Sequence, residues 1–316
     1  MNKLAVVFAF DDNYAMPFAV TIESLLSNKS KETFYDVFCL IPNDFSAENM
    51  SRIEKLNDKY NDFSMTFINL GDRFKNEKMK MKHISYVTYF RLLIPELLAD
   101  YDKCLYLDVD MAVCQDLTWL FAYDLTGYYV GVVRHPLLNT RRKVGKYDTA
   151  KDTYFNAGML LMNLDLMRKD NKQEEFIGLM SEGFVMQDED ILNLACFNKA
   201  KFLPLKYNLM TSICGPFEKI RAKRLRGQEY YSATQDPAIV HYIMAQKPWK
   251  CKSLPYFNVW DKYFKQSVFS DMQLDQYQES KFSMCKASFI YELKVFLLSF
   301  KVIDALNEFR KSGKNK

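Results

Sequence analysis

CLYLDVDMAV, residues 104–113, carries an apolar run into two aspartates and out again. Cys104, Leu105, Tyr106 and Leu107 read as a buried strand, and Met111, Ala112 and Val113 are apolar once more. Strand side chains alternate between faces, so residues two apart point the same way. If the strand continues through Asp108 and Asp110, both carboxylates share one side. Two like charges that close repel, and burying either without a partner is costly. A divalent cation would offset both penalties. The plain alternative is a pair of solvated aspartates at a strand end.

The same strand-like pattern recurs on either side of this stretch. Residues 4–10 form a continuous apolar strand, and 17–27 read as a helix with Phe18, Ile22, Leu25 and Leu26 on one face. Residues 35–41 and 64–70 read as strands. Between them a helix begins at Ser46 as N-cap, with Glu48 in its first turn and Met50, Ile53 and Leu56 inward. Residues 84–93 read as a helix that Pro95 breaks or kinks. Strands at 129–134 and 159–163 and helices at 173–183 and 188–198 follow. Strand and helix in alternation predict an α/β fold, a doubly wound, mostly parallel sheet flanked by helices. Residues 137–153 are polar and basic with little periodicity, and read as a long loop or lid.

Composition narrows the function classes. Hydrophobic residues make up 49% and charged residues 26% of 316 residues, ordinary for a globular protein with one large domain or two small ones. A net charge of +4 gives no footprint for nucleic acid. The seven cysteines include no C-x-x-C pair and mostly sit in apolar surroundings, which predicts buried free thiols in a reducing, cytoplasmic compartment. The start, MNKLAVVFAFDD, is short for a signal peptide and reads better as a first strand. No uncharged apolar segment reaches 18 residues, so no spanning helix is expected. Residues 281–316 carry eight basic and three acidic residues, with Phe289, Leu293, Phe296, Phe300, Ile303 and Leu306 at helical spacing. They read as a terminal helix packed on its own domain, as a basic amphipathic helix on an anionic membrane surface, or as a partner helix.

Ligands of open parallel sheets bind outside the carboxyl ends of the strands. The first strand ends in AFDDNY, which puts Asp11, Asp12 and Asn13 at that edge. Neither G-x-G-x-x-G nor G-x-x-x-x-G-K-[ST] occurs, so a dinucleotide or P-loop site is unsupported. A cation at Asp108 and Asp110 would hold phosphates instead, with hard oxygen ligands suited to Mn²⁺ or Mg²⁺. His241 follows the apolar PAIV and so also ends a strand, with Lys247 just beyond it in QKPW. A lone histidine is more often structural. As a third ligand it would shift the preference toward Mn²⁺.

Six stretches, in order, resemble glycosyltransferase family 8, the retaining enzymes that include bacterial lipopolysaccharide galactosyl- and glucosyltransferases. They are FAFDDNY (8–14), HISYVTYFRLLIPELL (83–98), LYLDVDMAV (105–113), YFNAGMLLMNL (154–164), QDEDILN (187–193) and HYIMAQKPW (241–249). The resemblance implies a GT-A-type fold over residues 1–270, with 271–316 as a C-terminal basic helical tail outside it. It implies Asp108, Asp110 and His241 as Mn²⁺ ligands, Mg²⁺ being the alternative. It implies Ala9, Asp11 and Asn13 as uridine contacts and Lys247 as a diphosphate contact. Arg91, Asp188 and Asn156 would meet the donor sugar. Read from the residues alone, Arg91 is also a helix-surface cation and Asn156 a turn residue before a strand.

Two positions depart from the family pattern. Met244 stands where many members have glycine near the phosphates. Glu189 stands where the family commonly has glutamine, and with Asp188 it is the catalytic candidate. A carboxylate there is a competent nucleophile or a stabiliser of an oxocarbenium-like centre. The plain alternative is a solvated glutamate at a helix start, favoured by the helix dipole. The expected activity is Mn²⁺-dependent, retaining transfer of galactose or glucose from a UDP-sugar to a sugar hydroxyl of a surface glycan or glycolipid. The tail would add peripheral contact with the inner face of the membrane. The competing expectations are a nucleotide-sugar binding protein without transfer and a membrane-surface adaptor working through the tail.

Overall fold

Eight residues of the first apolar run, Asn2–Ala9, form strand β1 at the centre of the main sheet. The structure is a computed structural model, and it describes residues 2–77, 79, 85–136, 143–144, 147–148, 153–184, 186–243 and 246–276. After β1 come α1 (Ala15–Asn28), β2 (Thr33–Ile41), α2 (Ala47–Glu54), α3 (Leu56–Lys59), β3 (Phe63–Asn69), α4 (Ile94–Leu97) and β4 (Lys103–Leu107). Strand β5 (Met111–Val113) leaves for a second sheet, and β6 (Val130–Arg134) returns to the first. Strands β7 (Lys143–Val144) and β8 (Tyr147–Asp148) pair as a small antiparallel ribbon within the stretch read as a loop. Then follow β9 (Phe155–Asn163), α5 (Leu164–Lys169), α6 (Lys172–Met180), α7 (Asp188–Ala195), β10 (Ala200–Phe202) and β11 (Leu209–Met210). Helices α8 (Pro216–Arg226) and α9 (Gln228–Gln235), β12 (Ile239–His241) and α10 (Phe257–Phe264) complete the order.

The main sheet runs β10-β6-β9-β4-β1-β2-β3. Strand β1 pairs in parallel with β2 and β4, β2 with β3, and β10 with β6. Only β9 is antiparallel to its neighbours β4 and β6. The strand order reverses at β1, since β2 and β3 lie on one side and β4 on the other. The carboxyl ends of β1 and β4 therefore open side by side at the switch point, where such sheets bind ligands. Side-chain alternation along β1 divides the core. Val6 and Phe8 join the layer holding α1 and α10, while Ala5 and Val7 join the layer holding α6 and α7.

Three local expectations need correction. The strand does not run through the two aspartates. β4 stops at Leu107, residues 108–110 turn out of the sheet, and β5 pairs with β12 in the second sheet, order β11-β12-β5. The buried Thr21 hydroxyl of α1 lies 2.7 Å from Val109 O and 2.8 Å from Met111 O, and so ties this bend to α1. Helix α1 is buried along most of its length, not on one face alone, because β5 and α10 cover it. The segment before Pro95 is a 3₁₀ helix, Tyr86–Leu93, capped by Ser85, and Pro95 sits in the first turn of α4 instead of ending a helix. A three-residue period stacks Thr88 over Arg91, and Arg91 Nε donates to Thr88 O at 3.0 Å.

Other expectations stand as read. Ser46 caps α2 by accepting from Asn49 N at 3.2 Å, and Ile53 and Leu56 are fully buried. Cys39, Cys104, Cys196 and Cys251 are buried free thiols, and Cys114 and Cys214 are half-buried and free. Cys285, Met244, residues 137–142 and the tail beyond residue 276 lie outside the described residues.

Candidate active site

Because β4 and β5 belong to different sheets, the chain between them bends, and the bend gathers ligands. Asp110 O accepts from Tyr242 N at 2.9 Å, and Met111 stands opposite His241 in the β5–β12 register. His241, the last residue of β12, is thereby set beside both aspartates. One ligand atom from each of Asp108, Asp110 and His241 lies within 4.8 Å of the others. His241 Nε2 is 3.1 Å from Asp110 Oδ1 and 3.7 Å from Asp108 Oδ2. His241 therefore does not stand alone but shares this place with both aspartates.

Two basic side chains hold the carboxylates. Lys247 Nζ donates to Asp110 Oδ2 at 2.5 Å and to Tyr242 O at 2.8 Å. Burial alone would raise the Asp110 pKa, but Lys247 and His241 outweigh it and hold the carboxyl well below its usual range. Arg91 is 6% exposed and is no surface cation. It lies over the Tyr106 ring, 4.4 Å from the centroid, and donates to Asp108 Oδ1 at 2.8 Å and Ala157 O at 2.7 Å. Its Nε is 3.2 Å from Asp188 Oδ2. Burial opposes its charge, but Asp108 and Asp188 outweigh that and raise its pKa further. Tyr106, two residues before Asp108 on β4, donates its hydroxyl to Asp108 Oδ1 at 2.9 Å.

Helix α7 brings the acidic pair. Asp188 accepts from Thr88 Oγ1 at 2.8 Å, and burial pushes its pKa up to about 6 despite Arg91. Glu189 is 8% exposed, not solvated. Its Oε2 accepts from Asn156 Nδ2 at 2.8 Å and from Ala157 N at 3.2 Å. Asn193, one turn further, exchanges hydrogen bonds with both backbone groups of Phe155, at 2.9 Å each, so α7 is pinned to the start of β9. Asn156 lies within β9 and not in a turn before it. Gln187, just ahead of Asp188, has φ +52°, in a region side chains rarely adopt.

At the neighbouring edge, Asp12 is structural. Its Oδ1 accepts from Ser46 N at 2.8 Å and Ser46 Oγ at 2.7 Å, which ties the end of β1 to α2. Asp11 caps a short turn by accepting from Asn13 N at 3.1 Å, and Asn13 is exposed. Ala9 is half-buried at the end of β1. Tyr14 links this edge to the cluster, because burial, Asp110, Asp11 and Asp108 together push its phenol well above its usual range.

The donor set fits a divalent cation. Two carboxylates and an imidazole offer hard and borderline ligands of the kind Mn²⁺ accepts. Gly158 leaves the room for them: a Cβ there would stand 2.4 Å from His241 Cε1 and 2.8 Å from Asp108 Oδ2. Residues 5–253 match the model of glycosyl transferase family 8. The chain belongs to this family. General stress protein A of Bacillus subtilis (strain 168) is 27% identical over 267 residues, covering 82% of this chain and 91% of its own. The lipopolysaccharide 1,2-glucosyltransferase of Escherichia coli is 29% identical over 255 residues, covering 77% and 72%. The lipopolysaccharide 1,3-galactosyltransferase of Salmonella typhimurium (strain LT2) is 28% identical over 259 residues, covering 78% and 73%. The solved structure of the galactosyltransferase LgtC with donor and acceptor sugar analogs superposes with a TM-score of 0.67 at 27% identity, covering 86% of this chain and 97% of that one. The fold is thus the GT-A-type α/β arrangement of family 8.

Several residues that hold this cluster in place escaped the sequence reading. Thr88, Tyr106, Gly158 and Asn208 carry no chemistry that spacing would single out. Thr88 and Tyr106 were recoverable in principle, as the 3₁₀ and strand neighbours of Arg91 and Asp108. Gly158 and Asn208 matter only because of what the folded chain brings against them.

Proposed function

We propose that the protein transfers a hexosyl group, galactose or glucose, from a UDP-sugar to a hydroxyl of a surface glycan such as lipopolysaccharide, with retention at the anomeric carbon. The observation that carries this reading is the convergence of Asp108, Asp110 and His241 at the carboxyl edge shared by β1 and β4. A cation held by these three residues, Mn²⁺ first and Mg²⁺ second, supplies positive charge to a diphosphate. Asp11 accepts from the uracil N–H or ribose hydroxyls, with Ala9 and Asn13 beside it. Lys247 is 13% exposed in its side chain and reaches from Asp110 toward the leaving diphosphate, whose growing charge it stabilises. Arg91 and Asp188 meet the donor sugar as an ion pair whose geometry Thr88 fixes. The names of the relatives support a hexose donor and a glycan acceptor.

Retention requires an enzyme nucleophile below the sugar or attack from the face of the departing diphosphate. The two hydrogen bonds accepted by Glu189 Oε2 weaken that oxygen as a nucleophile, which favours same-face transfer, with Glu189 and Asn156 orienting the sugar. The test is a screen of UDP-sugars for slow hydrolysis, and for transfer to glycan acceptors, with Mn²⁺ and with chelator. Hydrolysis of UDP-galactose or UDP-glucose in Mn²⁺ only is expected. Asp108→Ala, Asp110→Ala and His241→Ala should each lose metal-dependent UDP binding in calorimetry. Equal UDP affinity with and without Mn²⁺ in the intact protein would sink the metal assignment.

A further inference from the structure

Asn208 is fully buried in the 3₁₀ turn Leu205–Asn208, just ahead of β11, and none of the sequence motifs includes it. Its carboxamide lies between two groups of the site. Asn208 Oδ1 is 2.9 Å from His241 Nδ1, and Asn208 Nδ2 donates to Asn156 Oδ1 at 2.9 Å. Asn156 Nδ2 in turn donates to Glu189 Oε2 at 2.8 Å. Four buried or half-buried side chains thus form one unbroken line from Glu189 to the imidazole.

The direction of this line does not depend on how either amide is drawn. At one end the Glu189 carboxylate is an acceptor, so the Asn156 NH₂ must face it. The backbone N–H of Gly158 donates to the other end of the same amide, Asn156 Oδ1, at 3.1 Å. A backbone N–H is a donor under every assignment, so Asn156 Oδ1 is fixed as oxygen. Asn208 must then present its NH₂ to Asn156, because the reverse would set two oxygens against each other. Its Oδ1 is left for His241, and an amide oxygen only accepts. His241 Nδ1 therefore carries a hydrogen, while Nε2 faces the carboxylates.

We infer that Asn208 is the positioning residue of this centre: it holds His241 with the proton on Nδ1 and turns Nε2 toward Asp108 and Asp110, in an orientation anchored at Glu189. The inference rests on the reading of Asp108, Asp110 and His241 as a cation site. A metal-ligating histidine needs its second ring nitrogen held by an acceptor, and loss of such a partner commonly costs about 10–100-fold in metal affinity. Here the acceptor is a neutral amide, itself held by a second amide. Glutamate at position 189 ends the line with an oxygen that accepts, and glutamine would offer one too.

The experiment compares wild type, Asn208→Leu and Asn208→Asp in two readouts. The first is the Nδ1–H proton of His241 in ¹⁵N-edited NMR of the metal-free protein at pH 8, assigned by its loss in His241→Gln. The second is Mn²⁺ binding by calorimetry, alone and with UDP. Wild type should show a protected Nδ1–H. Asn208→Leu should lose it and bind Mn²⁺ about 10–100-fold more weakly. Asn208→Asp keeps an acceptor for Nδ1–H but loses the NH₂ that meets Asn156 Oδ1, so it should keep the protected proton and fall between wild type and Asn208→Leu in Mn²⁺ affinity. A bare Nδ1 in wild type overturns the inference. So does unchanged signal and affinity in Asn208→Leu, or loss of affinity in Asn208→Asp as complete as in Asn208→Leu, which marks a purely structural residue. If Asn208→Leu does not fold, the proton in wild type and in Asn208→Asp still decides. A protected Nδ1–H in wild type without Mn²⁺ binding supports the placement of the imidazole by Asn208, and it is the cation reading that then fails.

Discussion

Glu189 is the residue whose chemistry the rest of the site constrains most. Its Oε2 accepts two hydrogen bonds, and glutamine offers an oxygen able to accept the same two. Glu189→Gln is therefore expected to keep substantial transfer activity, within about tenfold of wild type, while Glu189→Ala loses more because Asn156 is released. A hexosyl adduct on Glu189 in mass spectrometry, with Glu189→Gln slowed by several powers of ten, would reverse this expectation, since a lost nucleophile falls on the transition state. Asp188 gives a prediction of another kind. Its folded pKa is raised from the ordinary carboxylate range to about 6, chiefly by burial. A raised acid contributes stability that is complete below pH 4 and is lost as pH rises through 6. Asn mimics the protonated form and still accepts from Thr88. Asp188→Asn should therefore be more stable than wild type at pH 8, by on the order of 1–3 kcal/mol. That amounts to several degrees in melting temperature, and the gap should close as pH falls toward 4. Melting curves at pH 8, 6 and 4 measure it. A gap that does not change with pH would remove burial of charge as its cause.

At the scale of elements, the bend between β4 and β5 decides the site, and α1 holds the bend. The single hydrogen of the Thr21 hydroxyl is shared between the carbonyls of Val109 and Met111, on either side of Asp110. Ser24, one turn along α1, accepts from Val113 N at 2.8 Å. Thr21→Val keeps the shape of the side chain and leaves two buried carbonyls without this donor. It should cost roughly 1–3 kcal/mol in stability. It should also weaken Mn²⁺-dependent UDP binding, although Thr21 touches none of the proposed ligands. Denaturant titration and calorimetry on the same variant separate the two effects. Unchanged UDP binding in a destabilised variant would mean that the bend holds its shape without α1.

For the whole molecule, no described helix is long and apolar enough to cross a membrane. Residues 281–316 combine a basic excess with a Phe-rich helical spacing. Deleting them is expected to abolish flotation with anionic liposomes and to leave transfer to a soluble acceptor intact. Equal flotation with and without the tail would end the membrane reading. A truncated protein that does not fold would favour a terminal helix packed on its own domain.

The alternation of apolar runs and helical periods was enough to predict the parallel sheet and its flanking helices. Those patterns report burial, and burial on both faces of a strand is written into consecutive residues such as Val6, Val7 and Phe8. The family motifs named Asp108, Asp110, His241, Lys247, Arg91, Asp188, Asn156 and Glu189, which the fold gathers into one connected group. What the sequence could not show was how they meet. Asp108 and Asp110 converge because the chain changes sheets between them, which the apolar residues on both sides conceal. Arg91 stands over Thr88 because its helix is 3₁₀, a distinction of hydrogen-bond register that residue type does not encode. Gly158 and Asn208 owe their importance to groups 83 and 33 positions away, His241 in both cases. Local pattern determines which elements form; only the packed chain decides which side chains share a hydrogen, a charge or a cation.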